Sequence, residues 1–177
     1  GAPAEVAEHP ARAAETALAM LEALEALKKT GEPDAQGLDI GIGLNTGEVT
    51  VGNLGSAEFM DYTIIGDAVN LASRLEGLNK TYRTRVIVSQ HTAERLDDRF
   101  VLRELDRVRV KGKTGAVTIC ELAGYRQALS SKRLSALNTF EDGLAAYRKR
   151  EWTRAESLFS TVLDRIADDG PSLCYLD

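Results

Sequence analysis

The chain is short of the groups that build metal centres and disulfide scaffolds: it has two cysteines and two histidines in 177 residues. Cys120 and Cys174 lie far apart and match no metal-ligand spacing. Cys120 falls in the alternation V-T-I-C-E-L and reads as a small core residue, so no disulfide is expected. His9 and His91 are isolated and read as surface or packing residues. No apolar run approaches the roughly 20 residues needed to span a bilayer. The opening G-A-P-A-E-V-A-E-H-P has neither a basic region nor an apolar core, so no signal peptide is expected. Positive charge is in deficit, with 22 Lys and Arg against 27 Asp and Glu, a net charge of -5. That balance argues against nonspecific nucleic-acid binding. What remains is ordinary for a globular protein: 44% hydrophobic and 28% charged residues, enough for one cored domain with an extension.

Periodicity predicts an amphipathic helix over Ala11 to Lys29, with Leu18, Leu21, Leu24 and Leu27 near helical spacing. Gly31, Pro33 and Gly37 mark a loop. L-D-I-G-I-G-L-N and T-G-E-V-T-V-G-N-L-G then predict a hairpin over Leu38 to Leu54, turning near Thr46 and Gly47. A short strand over Tyr62 to Ile65, a helix over Asp67 to Asn79 and a strand over Arg85 to Ser89 follow. Thr92 to Leu96 reads as a short helix, Phe100 to Val110 as a strand or bent strand pair, and Ala116 to Leu122 as a last strand. This mixture predicts an α+β fold with a mixed sheet. Composition shifts after Tyr125. Leu134 to Lys149 and Thr153 to Ile166 predict two helices, with Tyr147 and Trp152 as packing aromatics. Gly143, Ala155 and Phe159 fall where a single tetratricopeptide-like hairpin places its packing residues; a helical cap on the main domain is the plainer reading.

The densest chemistry lies in D-Y-T-I-I-G-D-A-V-N-L-A-S-R-L-E-G-L, Asp61 to Leu78. An apolar run meets Gly66, and beyond it Asn70 and Arg74 share one helix face at i, i+4 spacing. An amide there can orient a sugar, and a planar, permanently charged guanidinium can neutralise a phosphate. The plainer alternatives are a helix-surface Asn, and an Arg paired with Glu76 or Asp67. A P-loop is excluded. Gly112-Lys113-Thr114 supplies its ending, but the position five residues before Gly112 is Arg107 instead of glycine.

Three segments in order, G-L-N-T-G-E-V-T-V-G-N-L-G, Y-T-I-I-G-D-A-V-N-L-A-S-R-L-E and V-K-G-K-T, resemble the class III nucleotide cyclase catalytic domain. The resemblance covers roughly residues 1–125, leaving 126–177 as a helical extension. It implies a ferredoxin-like mixed sheet with helices. It also implies conversion of ATP to cyclic AMP and pyrophosphate by attack of the 3′-hydroxyl on the α-phosphate. By the same resemblance Asn70 orients the ribose and Arg74 meets the phosphates in the transition state. Thr63 accepts a hydrogen bond from the adenine amino group, and the backbone at Ile65 also touches the base. Lys111 binds the terminal phosphates, with Lys113 a weaker neighbour. Thr63 favours ATP, since guanylate cyclases usually carry a different residue there. Gly47, Gly52 and Gly55 lie in a region the family uses at its dimer interface.

The family's Mg²⁺ or Mn²⁺ ligands and its adenine-selecting Lys precede the segment matching Ala11 to Lys29, and no substitute for them stands in these residues. Asp67, in a G-D-A-V context that resembles the metal segment, is identified by Asn70 and Arg74 as the helix N-terminal charge of the other motif. The resemblance therefore implies the transition-state portion of an adenylate cyclase, inactive alone. Its active sites would be shared across a homodimer, it would lie in the cytoplasm, and any membrane attachment would come from segments outside these residues. The alternatives are a guanylate cyclase of the same fold and a noncatalytic cyclase-like module for dimerisation or regulation.

Overall fold

The computed structural model describes residues 4–55, 60–109 and 115–177. Helix α1 (His9–Lys29) carries Pro10 in its first turn, where a fixed backbone is suited, and ends on Lys28 and Lys29, which suit a helix C-terminus. Its contact stripe is made mainly of alanine. Ala11, Ala14, Ala17, Leu18 and Leu24 are buried, whereas Leu27 stays exposed. A one-turn helix α2 (Pro33–Gln36) follows.

The main sheet has strand order β1-β4-β6-β5, formed by β1 (Ile42–Leu44), β4 (Val86–Ser89), β6 (Ala116–Tyr125) and β5 (Phe100–Arg109). β1 runs parallel to β4, and the other pairings are antiparallel. The fold is thus α+β with a mixed sheet, as the sequence predicts. β4 is buried at every residue, and its alternation divides the core. Val86 and Val88 pack with Phe100, Cys120 and Leu122 under α1. Ile87 packs with Leu105, Val117 and Ile119 under helix α3 (Asp67–Tyr82), through Leu71, Leu75 and Tyr82.

The predicted hairpin over Leu38 to Leu54 does not form. β1 takes β4 as its partner, while β2 (Thr50–Gly55) pairs antiparallel with β3 (Met60–Ile65) in a separate ribbon. Alternation identifies a strand but not its neighbour, and the glycine alternation here has another cause. A Cβ on Gly43 would collide with the backbone of α3 at Ala72 and Glu76, so glycine lets the helix lie directly on β1. Phe100 to Arg109 is one strand, and two register irregularities, at Val101/Leu102 and Glu104/Asp106, account for the bend seen in its pattern. The short helix after β4 is α4 (Gln90–Ala93), earlier than Thr92 to Leu96, because the Ser89 hydroxyl accepts the Thr92 amide and caps it.

Beyond β6 come α5 (Ser131–Arg148), α6 (Trp152–Leu163) and a third helix, α7 (Gly170–Leu176), that periodicity did not reveal. Phe140, Leu144, Ala155, Phe159 and Val162 form their shared core, with Tyr175 of α7 stacked on Phe159 at 5.1 Å between ring centroids. Gly143 is required where α5 meets Phe159, since a Cβ there would stand 2.8 Å from the ring. Tyr147 and Trp152 meet edge to face at 5.3 Å, as packing aromatics should.

Candidate active site

The site is built on the passage from β3 into α3. Gly66 joins them at φ 151°, a backbone state that L side chains rarely adopt, and its carbonyl accepts the amides of Val69 and Asn70 at 3.0 and 3.2 Å. Asp67 is the first residue of the helix, where a negative charge suits the helix dipole. One turn on, Leu71 and Leu75 are 1% and 0% exposed and anchor the helix to the sheet. That anchoring turns Asn70 and Arg74 outward, and both are exposed. Neither side chain has a hydrogen-bond or ion-pair partner among the described residues, so the Glu76 and Asp67 pairings considered for Arg74 are not made.

Thr63 and Ile65 stand on one face of β3, both exposed, with Thr63 opposite Gly52 in the ribbon. The other face carries Met60, Tyr62 and Ile64, exposed by 64%, 67% and 47%. A cleft of about 280 Å³ separates α3 from the end of β5. Arg74, Leu71 and Leu78 form one wall, and Val108 and Arg109 the other. The segment that follows Arg109 carries Lys111 and Lys113, which lie outside the described residues. Of the four site residues described, Arg74 lines this cleft and faces the end of β5, whereas Thr63, Ile65 and Asn70 stand exposed on β3 and the first turn of α3 outside its lining.

Two asparagines hold α3 to the sheet and were not singled out by the sequence. Asn45 donates to the Ala68 carbonyl at 2.9 Å and accepts the Ser89 hydroxyl at 2.7 Å, tying the ends of β1 and β4 to the first turn of α3. Asn79, buried, donates to the Ile42 carbonyl at 3.1 Å and to the Glu76 carbonyl at 3.0 Å, tying β1 to the last turn of α3. The one available signal was chemical: amides at a strand end and late in an apolar helix face are costly to bury unless they bridge backbones.

The described residues contain no group of three or more His, Cys, Asp or Glu side chains placed to hold a metal ion. Asp67 is a lone carboxylate at a helix start. These residues do not fit a divalent-ion centre, and no chemical step is drawn through one. Among the described residues, no helix is long and apolar enough to cross a membrane. Cys120 and Cys174 are unpaired, and burial pushes the Cys120 thiol up to about 12.

A family model described as the adenylate and guanylate cyclase catalytic domain matches residues 1–122, and the chain belongs to that family. The family generally uses divalent metal ions. Among relatives, the terminal-differentiation specific adenylate cyclase of Dictyostelium discoideum is 34% identical over 168 residues, covering 93% of this chain and 8% of that protein. Adenylate cyclase 1 of Rhizobium meliloti is 36% identical over 149 residues, covering 82% of this chain and 21% of that protein. The chain thus spans only a small part of these relatives. The crystal structure of the adenylyl cyclase CyaB from P. aeruginosa superposes with a TM-score of 0.59 at 33% identity, over 73% of this chain and 67% of the other.

Proposed function

We propose that this chain supplies the transition-state portion of an adenylate cyclase, which makes cyclic AMP and pyrophosphate from ATP. The observation that carries the reading is the pair Asn70 and Arg74: solvent-facing, unpartnered among the described residues, and held rigidly by Leu71 and Leu75. The Asn70 amide orients the ribose so that its 3′-oxygen lies in line with the α-phosphorus. Arg74 offers two N–H groups to the phosphate oxygens as charge moves from the attacking oxygen to the leaving pyrophosphate. Such chemistry is mostly positioning and charge stabilisation. Thr63 accepts from the adenine amino group beside the Ile65 backbone. Lys111, which lies outside the described residues, follows the departing pyrophosphate.

The site is completed by a second copy. Met60, Tyr62 and Ile64 form an apolar face on a ribbon that has no partner sheet among the described residues, which suits a homodimer contact. The described residues hold no group of three or more metal-donor side chains, and on this reading the donors lie in a segment ahead of these residues, so the 177-residue protein by itself should show negligible cyclisation. The reaction belongs in the cytoplasm, where ATP is at hand; the unpaired Cys120 and Cys174 support that setting. The test is cyclic AMP formation from ATP with Mg²⁺ or Mn²⁺, by a polypeptide that carries the metal-donor segment ahead of residue 1. Activity lost in Arg74→Ala supports the reading. A folded, dimeric but inactive parent transfers it to a noncatalytic dimerisation module, which the missing donor set already favours as the second reading.

A further inference from the structure

Helix α7 ends up against the far end of the helix that carries Asn70 and Arg74. The link begins at Arg103 of β5, 1% exposed. Its Nε donates to the Glu121 carboxylate at 2.8 Å, and its Nη1 donates to both oxygens of Asp169 at 2.7 and 2.9 Å. The guanidinium also lies over the Phe140 ring, 4.7 Å from its centroid. Asp169 in turn accepts the Ser172 amide at 3.1 Å and the Ser172 hydroxyl at 2.7 Å, capping α7. One carboxylate therefore fixes both the start of α7 and its attachment to the sheet. A buried pair of this kind adds little stability over apolar side chains of the same size, but it specifies one geometry.

That geometry bears on α3. Gly170 sits so close to the C-terminus of α3 that a Cβ would collide with the Tyr82 carbonyl and the Arg83 side chain. Arg83 closes α3 in the left-handed conformation at φ 51°, with its amide on the Asn79 carbonyl. Tyr175 donates to the Leu105 carbonyl at 2.6 Å, and Tyr82 donates to Asp106 at 2.8 Å, so α7 and α3 grip neighbouring residues of β5. Cys174 packs on the cluster that contains Leu71, Leu75 and Tyr82. The likeness to the Dictyostelium cyclase runs over 168 residues, past the 122 that the family model matches.

We propose that the tail is a positioning element of the active site: Arg103 and Asp169, acting through α7, set the tilt of α3 and hence the placement of Asn70 and Arg74. This rests on the reading of Asn70 and Arg74 given above. Leu71 and Leu75, buried on the sheet, are the points about which α3 can tilt. Five residues separate Leu75 from Asn70, about 7.5 Å of helix at 1.5 Å per residue. A tilt of about 5° there moves Asn70 by about 0.7 Å, and a misplacement approaching 1 Å costs up to about 100-fold in rate. Arg103 and Asp169 touch no substrate; they are positioning residues.

The test has two arms. In the first, amide hydrogen exchange is measured on the 177-residue protein and its Asp169→Ala, Gly170→Ala and Arg103→Met/Asp169→Leu variants. Exchange should rise about 10-fold or more at 79–85 together with 170–176, because releasing α7 frees the end of α3. A released α7 with unchanged exchange across α3 overturns the proposal, whether or not the protein is a cyclase. In the second arm, the same variants are placed in the polypeptide that carries the metal-donor segment. The expectation is a kcat lowered about 10- to 100-fold with KM for ATP within about twofold, since the contacts affected are made in the transition state. The double variant removes the Arg103–Asp169 pair but leaves Glu121 with only Arg133 at 4.0 Å, so its kcat is read only where exchange across the rest of the sheet matches the wild type. Wild-type kcat in a double variant whose α7 exchanges freely overturns the proposal. An inactive parent would defeat the cyclase reading alone, and the exchange arm would still decide this one.

Discussion

Two sides of the molecule treat their polar groups in opposite ways. Where the tail meets β5, buried charge is answered: Arg103 has two carboxylates and an aromatic face, and Asp169 is used by both Arg103 and Ser172. Along β3 and the outer face of α3, Asn70 and Arg74 stand without partners among the described residues, beside a ribbon whose Met60 and Tyr62 are about two-thirds exposed. The same helix serves both sides. Its Leu71, Leu75 and Tyr82 are core, and its Asn70 and Arg74 are open. A folded chain satisfies buried polar groups internally because leaving them bare is costly. On the exposed side water satisfies the polar pair in the free chain; on the reading proposed above, a ligand replaces that water and a protein surface covers the apolar face.

The largest break in that comparison is expected at Arg103. Arg103→Ala leaves Asp169 and Glu121 buried without their cation, which costs about 3–5 kcal/mol. For a chain of this size that lowers the melting temperature by about 10 °C, readable by calorimetry. A fall of a degree or less would mean that water already satisfies the carboxylates and that the joint is loose. Arg74→Ala should show the reverse signature. Stability stays within about 0.5 kcal/mol, as for a surface substitution. Cyclisation in the metal-competent protein falls about 100- to 1,000-fold, the usual effect of deleting one preorganised donor to transition-state charge. Loss of both stability and activity in Arg74→Ala would show that the guanidinium has a structural partner after all.

How far these two sides could be read in advance differs for a physical reason. The exposed faces that carry Asn70 and Arg74, and Thr63 and Ile65, were legible because these residues lie within 12 positions of one another, on one strand and one helix whose periods are plain; their roles came only from the resemblance. Local periodicity places such residues on common faces without knowledge of the tertiary fold. The closed side was not legible. Arg103, Glu121 and Asp169 are 18 and 66 residues from one another in the pairs they form, and nothing local marks Arg103 as buried in a strand of alternating charge. The same limit explains the hairpin that was expected over Leu38 to Leu54: the strands were recognised, but their partners are chosen by packing. Asn45 and Asn79 escaped notice because bridging two backbones is a tertiary role with no sequence period.

A smaller effect should sharpen the open side. Tyr62→Glu places a charge in the middle of the apolar face formed by Met60, Tyr62 and Ile64. Tyr62 is mostly exposed, so the fold should keep its stability within about 0.5 kcal/mol. If that face contacts a second copy, the charge must be desolvated there, and light scattering should show a dimer shifted to monomer. An unchanged dimer would move the interface elsewhere and leave the exposed apolar face for another partner.

The smallest effect is the most specific. Thr63 stands opposite Gly52 with open space around it, so Thr63→Val changes the hydroxyl to a methyl group at nearly constant shape. No buried contact is disturbed, and stability should not move measurably. If the hydroxyl accepts from the adenine amino group, its loss removes one hydrogen bond, about 0.5–1.5 kcal/mol, and lowers kcat/KM for ATP by about 2- to 10-fold. The carbonyl that guanine carries in place of that amino group cannot donate to Thr63 and can only accept from its hydroxyl, so kcat/KM for GTP should hold if the site fixes that hydroxyl as an acceptor. The ratio of the two specificity constants is the quantity to measure, since it cancels any general damage to the site. A fall in both by the same factor would show that Thr63 does not discriminate between the two bases, and would return base selection to other residues.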